Sequence, residues 1–218
     1  MTQPFIRNHQ WNVMKQQASF IQNTWRTVTD PVIGNAVAVE ASLKVARLFE
    51  REPEERRRLI EPFAALKTED EFSSFFDGLK PYIVRLPPVT EKQLQRLFPK
   101  ARRLPVPDAA ASQHGALTYR SWLDIATNKW YLIYELHGEA VGIEGRSTPA
   151  PKKNICTFCG GFGEVTFVSA VTRAKSSISP DYYKSVGHYI CASEEACNLR
   201  ITDVGSLERF IGAVLAHA

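Results

Sequence analysis

Cys156-Thr157-Phe158-Cys159-Gly160-Gly161 and, after a 31-residue interval, Cys191-Ala192-Ser193-Glu194-Glu195-Ala196-Cys197 hold all four cysteines of this 218-residue chain. Two close pairs, separated by the length of a short hairpin, supply the tetrahedral sulfur cage that a zinc ion takes. Each pair sits on one turn, and the segment between them folds back to join them. Gly160 and Gly161 stand where a ligand knuckle needs backbone free to adopt positive φ. The reading is one structural Zn2+ held by Cys156, Cys159, Cys191 and Cys197. Two disulfides are the plainer alternative, and they require an oxidising compartment. A redox Cys-x-x-Cys is the third, and it leaves Cys191 and Cys197 without a purpose.

Between the pairs, Glu164-Val165-Thr166-Phe167-Val168 alternates like a strand, and His188-Tyr189-Ile190 is expected to return beside it. After the second pair, Ser206 is expected to cap a closing helix with Leu207, Phe210, Ile211, Val214 and Leu215 on one side. Knuckle, long hairpin, second ligand pair and closing helix together describe a treble-clef zinc finger over residues 156–218. That order specifies a fold and leaves function open, because such fingers bind RNA, DNA, proteins and ribosomes alike.

Upstream of the finger, Trp130 to Leu136 reads as a strand, and His137-Gly138 as a hairpin turn into Ala140–Gly145. Ser121 to Thr127 reads as a short helix and Ser147 to Pro151 as a link. Thr90-x-x-Gln93 is a capping box opening a helix with Leu94, Leu97 and Phe98. Pro87-Pro88 marks the boundary with a different kind of sequence. There Trp11, Met14, Ala18, Ile21, Trp25 and Val28 recur at helical spacing, and Asp30-Pro31 starts a second helix running to about Phe49. Pro53 opens a third, interrupted at Pro62, and Thr68-x-x-Glu71 caps a fourth with Phe72, Phe75, Phe76 and Leu79 inward. The fold class is therefore α+β: an N-terminal antiparallel helical bundle over residues 1–84, then a C-terminal α/β domain over 85–218 built around the finger.

Hydrophobic residues make up 44% and aromatics 11% of the chain, enough for real cores rather than disorder. MTQPFIRNHQW carries no apolar run of a secretory signal, and no stretch approaches the roughly 20 apolar residues that span a bilayer. The expectation is a cytoplasmic protein without membrane contact, a setting that favours zinc over disulfides. Arg85, Lys92, Arg96, Lys100, Arg102 and Arg103 face a single acid, Glu91. Such a cluster suits an acidic protein surface or RNA, and equally a solvated helix face.

Catalytic patterns do not emerge. His9, His114, His137, His188 and His217 lack metal-ligand or triad spacing, and four sulfurs already close a zinc site to water. Gly160-Gly161-x-Gly163 lacks the strand-to-helix setting and the lysine of a phosphate loop. Glu52, Glu54 and Glu55 lie at helical distances from Arg56–Arg58, which reads as surface pairing rather than an acid/base dyad. No enzyme activity and no small-molecule substrate are expected, and nothing in the sequence demands more than a monomer.

The runs ICTFC, HYICASEEAC and ITDVGSLERFI resemble the C-terminal finger of the FusB-type elongation factor G-binding proteins. PFIRNHQWNVMKQQ, TVTDP and SWLDIATNKWYLIY are similar to that family's opening helices and middle segment, so the resemblance spans nearly the whole chain. It implies binding to the C-terminal domains of elongation factor G, and through it an indirect action on the ribosome. Factor trapped by fusidic acid after translocation would be released without covalent chemistry. The resemblance also implies a contact surface on the finger. Its aromatics fall at Tyr189 and Phe210, its aromatic before the first cysteine is Ile155 here, and its lysine is Val186, with Lys184 two positions earlier. Tyr189 has packing of the hairpin as its other reading, and Phe210 has the core of the closing helix. The runner-up function is a zinc-finger protein that binds RNA or the ribosome directly; a thiol oxidoreductase stands third.

Overall fold

The computed structural model describes residues 3–101, 104, 116–172 and 184–215. Two compact units divide the chain, Met1–Arg85 and Leu86–Ala218. Arg102, Arg103, His114 and His217 lie outside the described residues.

The first unit is helical. Helix α1 (Asn8–Thr27) buries Met14, Ala18 and Ile21, as its apolar stripe requires. Helix α2 (Pro31–Arg47) starts where the Asp30 carboxylate accepts from Val32 N–H at 2.8 Å, and it buries Ala41 and Val45 against α1. Gly34 admits the Trp25 ring, which a Cβ at that position would meet at 2.6 Å. Helix α3 (Glu54–Ile60) passes at Pro62 into a 3-10 turn, Glu61–Ala65, that inserts Phe63 into the core. Helix α4 (Glu69–Leu79) carries the predicted capping box and brings Phe72 to 5.4 Å from Phe63, and Phe76 to 4.9 Å from Trp11. Arg56 pairs with Glu52, and Arg58 with Glu54, on the surface. Phe5 and Ile6 bond to Tyr82, and Val84 to Ile6, closing the unit on itself.

The second unit is a five-stranded antiparallel sheet, order β1-β2-β3-β6-β7, with helices on both faces. Its strands are β1 (Arg120–Asp124), β2 (Lys129–Leu136), β3 (Glu139–Pro149), β6 (Val165–Val171) and β7 (Ser185–Cys191); β4 (Asn154–Ile155) and β5 (Phe162–Gly163) form a separate small hairpin. Strand β2 runs apolar and buried from Trp130 to Tyr134 because both faces are covered there. Trp130, Leu132 and Tyr134 pack toward α7 (Gly205–Leu215) and the cysteines, while Tyr131 and Ile133 pack toward α5 (Glu91–Leu97). Helix α5 starts at the expected capping box and lies close on β3, since a Cβ at Gly142 would meet Phe98 at 2.8 Å.

Three expectations fail here. Ser121–Thr127 is not a helix: β1 occupies its first half, pairing Trp122 with Tyr131 and stacking their rings at 5.4 Å. Asp124 ends the strand by accepting from Ala126 N–H and the Thr127 hydroxyl, an Asx turn. Ser147–Pro151 is not a plain link, because β3 runs on to Pro149 in register with β6. Proline is tolerated there at the strand's last residue. Ser206 does not cap the closing helix, which already begins at Gly205; the Asp203 carboxylate receives Gly205 N–H, and the Ser206 hydroxyl accepts from Arg209.

Candidate metal centre and finger surface

The knuckle is the chain between β4 and β5. Cys156 N–H donates to Gly161 O at 2.9 Å and Gly160 N–H to Cys156 O at 2.8 Å, with Gly160 at φ +69° as the turn demands. Strand β7 delivers Cys191, whose N–H donates to Cys156 Sγ at 3.3 Å. Cys197 comes from a helix the sequence reading did not separate, α6 (Glu194–Arg200), capped by the Ser193 hydroxyl on Ala196 N–H at 3.1 Å. Serine followed by two glutamates is an ordinary helix start, so the signal was present.

The four sulfurs all lie within 4.8 Å of one another, with Cys156–Cys197 at 3.8 Å and Cys159–Cys191 at 3.6 Å. Sulfurs at the vertices of a tetrahedron with zinc–sulfur bonds of about 2.3 Å stand about 3.8 Å apart. A disulfide would bring two of them to about 2.05 Å, and all four cysteines are free. The donor set fits one tetrahedral metal ion held by Cys156, Cys159, Cys191 and Cys197. Hydrogen bonding among the four crowded sulfurs holds the Cys156 thiol below the usual thiol range and pushes those of Cys191 and Cys197 above it. A zinc ion among these sulfurs would take all four as thiolates and offset their mutual repulsion.

Two residues around the sulfurs escaped the sequence reading. Burial pushes the Tyr119 phenol well above its ordinary range, and its contact with Cys197 adds to the shift. Asn198, itself buried, accepts from Thr118 N–H at 2.7 Å and donates to Tyr119 O at 3.0 Å and Glu194 O at 3.2 Å. It ties the approach to β1 onto α6, and no local spacing announces that contact.

Burial raises the Glu194 carboxyl to about 7, against the opposing pull of Ser121 N–H and Arg120. A carboxyl raised on folding contributes stability at low pH that is lost as pH climbs from its unfolded value to its folded one. Glu194→Gln is therefore expected to stabilise the finger by about 1–3 kcal/mol at pH 8, with the difference vanishing toward pH 4.5. Denaturation of both proteins across that range measures it; a gain independent of pH would assign the effect to packing.

The surface beside the sulfurs is apolar. Ile155 is 60% exposed and Tyr189 39%, and Thr157 N–H donates to Tyr189 O at 2.8 Å, so both stand on one connected frame. Lys184 is exposed just before β7, and Val186 is half-buried against the core. Phe210 is different: at 1% exposure it packs on Phe158 at 5.6 Å, His188 at 5.6 Å and Trp130 at 6.4 Å. Of its two readings, burial leaves the core, and the ring offers no surface to a partner. Two further aromatics are exposed, Phe167 at 38% on the strand the sequence led us to expect and Phe162 at 67%, which no sequence signal singled out. Phe167 meets Tyr189 ring to ring at 5.3 Å, over Gly187, where a Cβ would clash at 2.4 Å. Arg85, Lys92, Arg96 and Lys100 are exposed, as are Lys152, Lys153 and Arg200 near the knuckle.

Sulfur geometry and strand order define a treble-clef finger protein with an N-terminal helical unit. Residues 98–209 match the family model described as FBP C-terminal treble-clef zinc-finger, and residues 5–87 match that of Elongation factor G-binding protein, N-terminal. The chain belongs to this family, the FusB-type elongation factor G-binding proteins. The solved structure titled "Structure of the fusidic acid resistance protein FusC" shares its fold, with a TM-score of 0.78 at 22% identity over 96% of this chain and 97% of that one. No curated protein matches the chain. Among the described residues no helix is long and apolar enough to cross a membrane.

Proposed function

We propose that this chain is a non-enzymatic, zinc-loaded, cytoplasmic protein that binds the C-terminal domains of elongation factor G as a monomer. By doing so it promotes departure of the factor from the post-translocation ribosome and relieves stalling by fusidic acid. The observation that supports this reading is the match of 5–87 and 98–209 to family models, the first described by binding to that factor. In this reading the contact surface is the exposed frame carrying Ile155 and Tyr189, with Lys184, exposed just before β7, as a further contact. Release follows physically if the finger binds the off-ribosome conformation of the factor more tightly than the trapped one. Zinc contributes the rigid frame and no open coordination position.

Calorimetric titration of the zinc-loaded full chain into elongation factor G is expected to saturate near one to one. Tyr189→Ala is expected to weaken that binding about 10–100-fold, the scale of an exposed aromatic anchor, with zinc content unchanged. Absence of saturable binding by the unaltered chain would sink the reading. Ribosome association that collapses steeply with salt, in the factor's absence, would move the partner to RNA.

A further inference from the structure

We propose that Phe162 is the principal aromatic anchor of the finger's contact surface, an inference that rests on elongation factor G being the partner. Phe162 is 67% exposed, more than Phe20, Phe167 or Tyr189, the other exposed aromatics among the described residues. A single exposed apolar side chain is ordinary. This one is not single: Ile155 stands directly opposite it across the knuckle hairpin, itself 60% exposed. The knuckle is bonded to β7 through Thr157 and Tyr189, where Phe167 and Tyr189 form the second exposed pair.

The placement of Phe162 is fixed on several sides. Cys156 N–H bonds to Gly161 O immediately before it, and the Arg200 guanidinium donates to its own carbonyl at 3.4 Å. Arg200 occupies the space beside Gly161, where a Cβ would meet its Nη1 at 2.8 Å. Cys156 and Cys159, on the same turn, would anchor it to a bound zinc ion. An aromatic held this way loses little conformational freedom when a partner covers it, which is what makes an anchor effective. Burial in the protein does not explain the residue, since its ring contributes to none of the apolar cores.

The test is titration of zinc-loaded full-length Phe162→Ala and Phe162→Tyr into elongation factor G, with zinc content and melting temperature measured on the same samples. Phe162→Ala is expected to bind at least 10-fold more weakly with both controls unchanged, and Phe162→Tyr to stay within about threefold of the unaltered chain. Three results would overturn the proposal: an unchanged affinity for Phe162→Ala, a loss tracked by zinc or melting temperature, or Phe162→Tyr binding as poorly as the alanine variant. If the unaltered chain itself fails to bind, the partner is wrong and the proposal falls with it. Unchanged affinity beside a bound unaltered chain removes only the role of Phe162.

Discussion

Chelating the metal, or replacing Cys197 with serine, is expected to unfold the finger while the α1–α4 core keeps its own stability. Cys156 and Cys197 are fully buried in the middle of the cluster that includes Tyr119, Phe158, Ile201 and Phe210. A structural zinc contributes about 10–16 kcal/mol at neutral pH, comparable to or larger than the whole stability of an ordinary domain. The apolar core of the first unit shares no residue with that cluster. Hydrogen exchange with and without chelator measures the effect: amides of β6, β7, α6 and α7 are expected to lose protection, and those of α1 and α4 to keep it. Protection of the finger strands surviving complete metal removal would show that packing alone holds the fold.

What the sequence revealed follows from how local each signal is. Cys-x2-Cys lies within a single turn and Cys-x5-Cys bridges only the end of β7 and the start of α6, so the ligand set was readable from spacing, as were the capping boxes at Thr68 and Thr90. The strand at Trp130 was readable because apolar residues fill both its faces. Strand β1 was misread because nothing inside Ser121–Thr127 forces it; Tyr131 and Trp130, several residues away, supply the pairing. Pro149 looked like a break for the same reason, since its partner Thr166 lies across the knuckle. Phe162 was passed over because a two-residue strand is too short to show any period. Asn198, beside a ligand cysteine, gives no sign in sequence of the distant backbone it satisfies.

Phe210→Ala is expected to cost about 3–5 kcal/mol of finger stability, the usual penalty for removing a fully buried phenylalanine. Its ring touches Phe158, which lies between the ligands Cys156 and Cys159, and it touches His188 on β7 next to Tyr189. Packing is thus carried from α7 to the very segments that present Ile155, Phe162 and Tyr189. Affinity for the factor is expected to fall in this variant as well, even though the ring itself is buried. Two measurements separate the causes. Chemical denaturation should show the lost stability for Phe210→Ala and a change below about 1 kcal/mol for the exposed Tyr189→Ala. Affinity per folded molecule should then return toward normal for Phe210→Ala under stabilising conditions, such as low temperature with saturating zinc, and stay weak for Tyr189→Ala. A Phe210→Ala protein of unaltered stability that still fails to bind would mean that α7 opens to expose this ring when the factor docks.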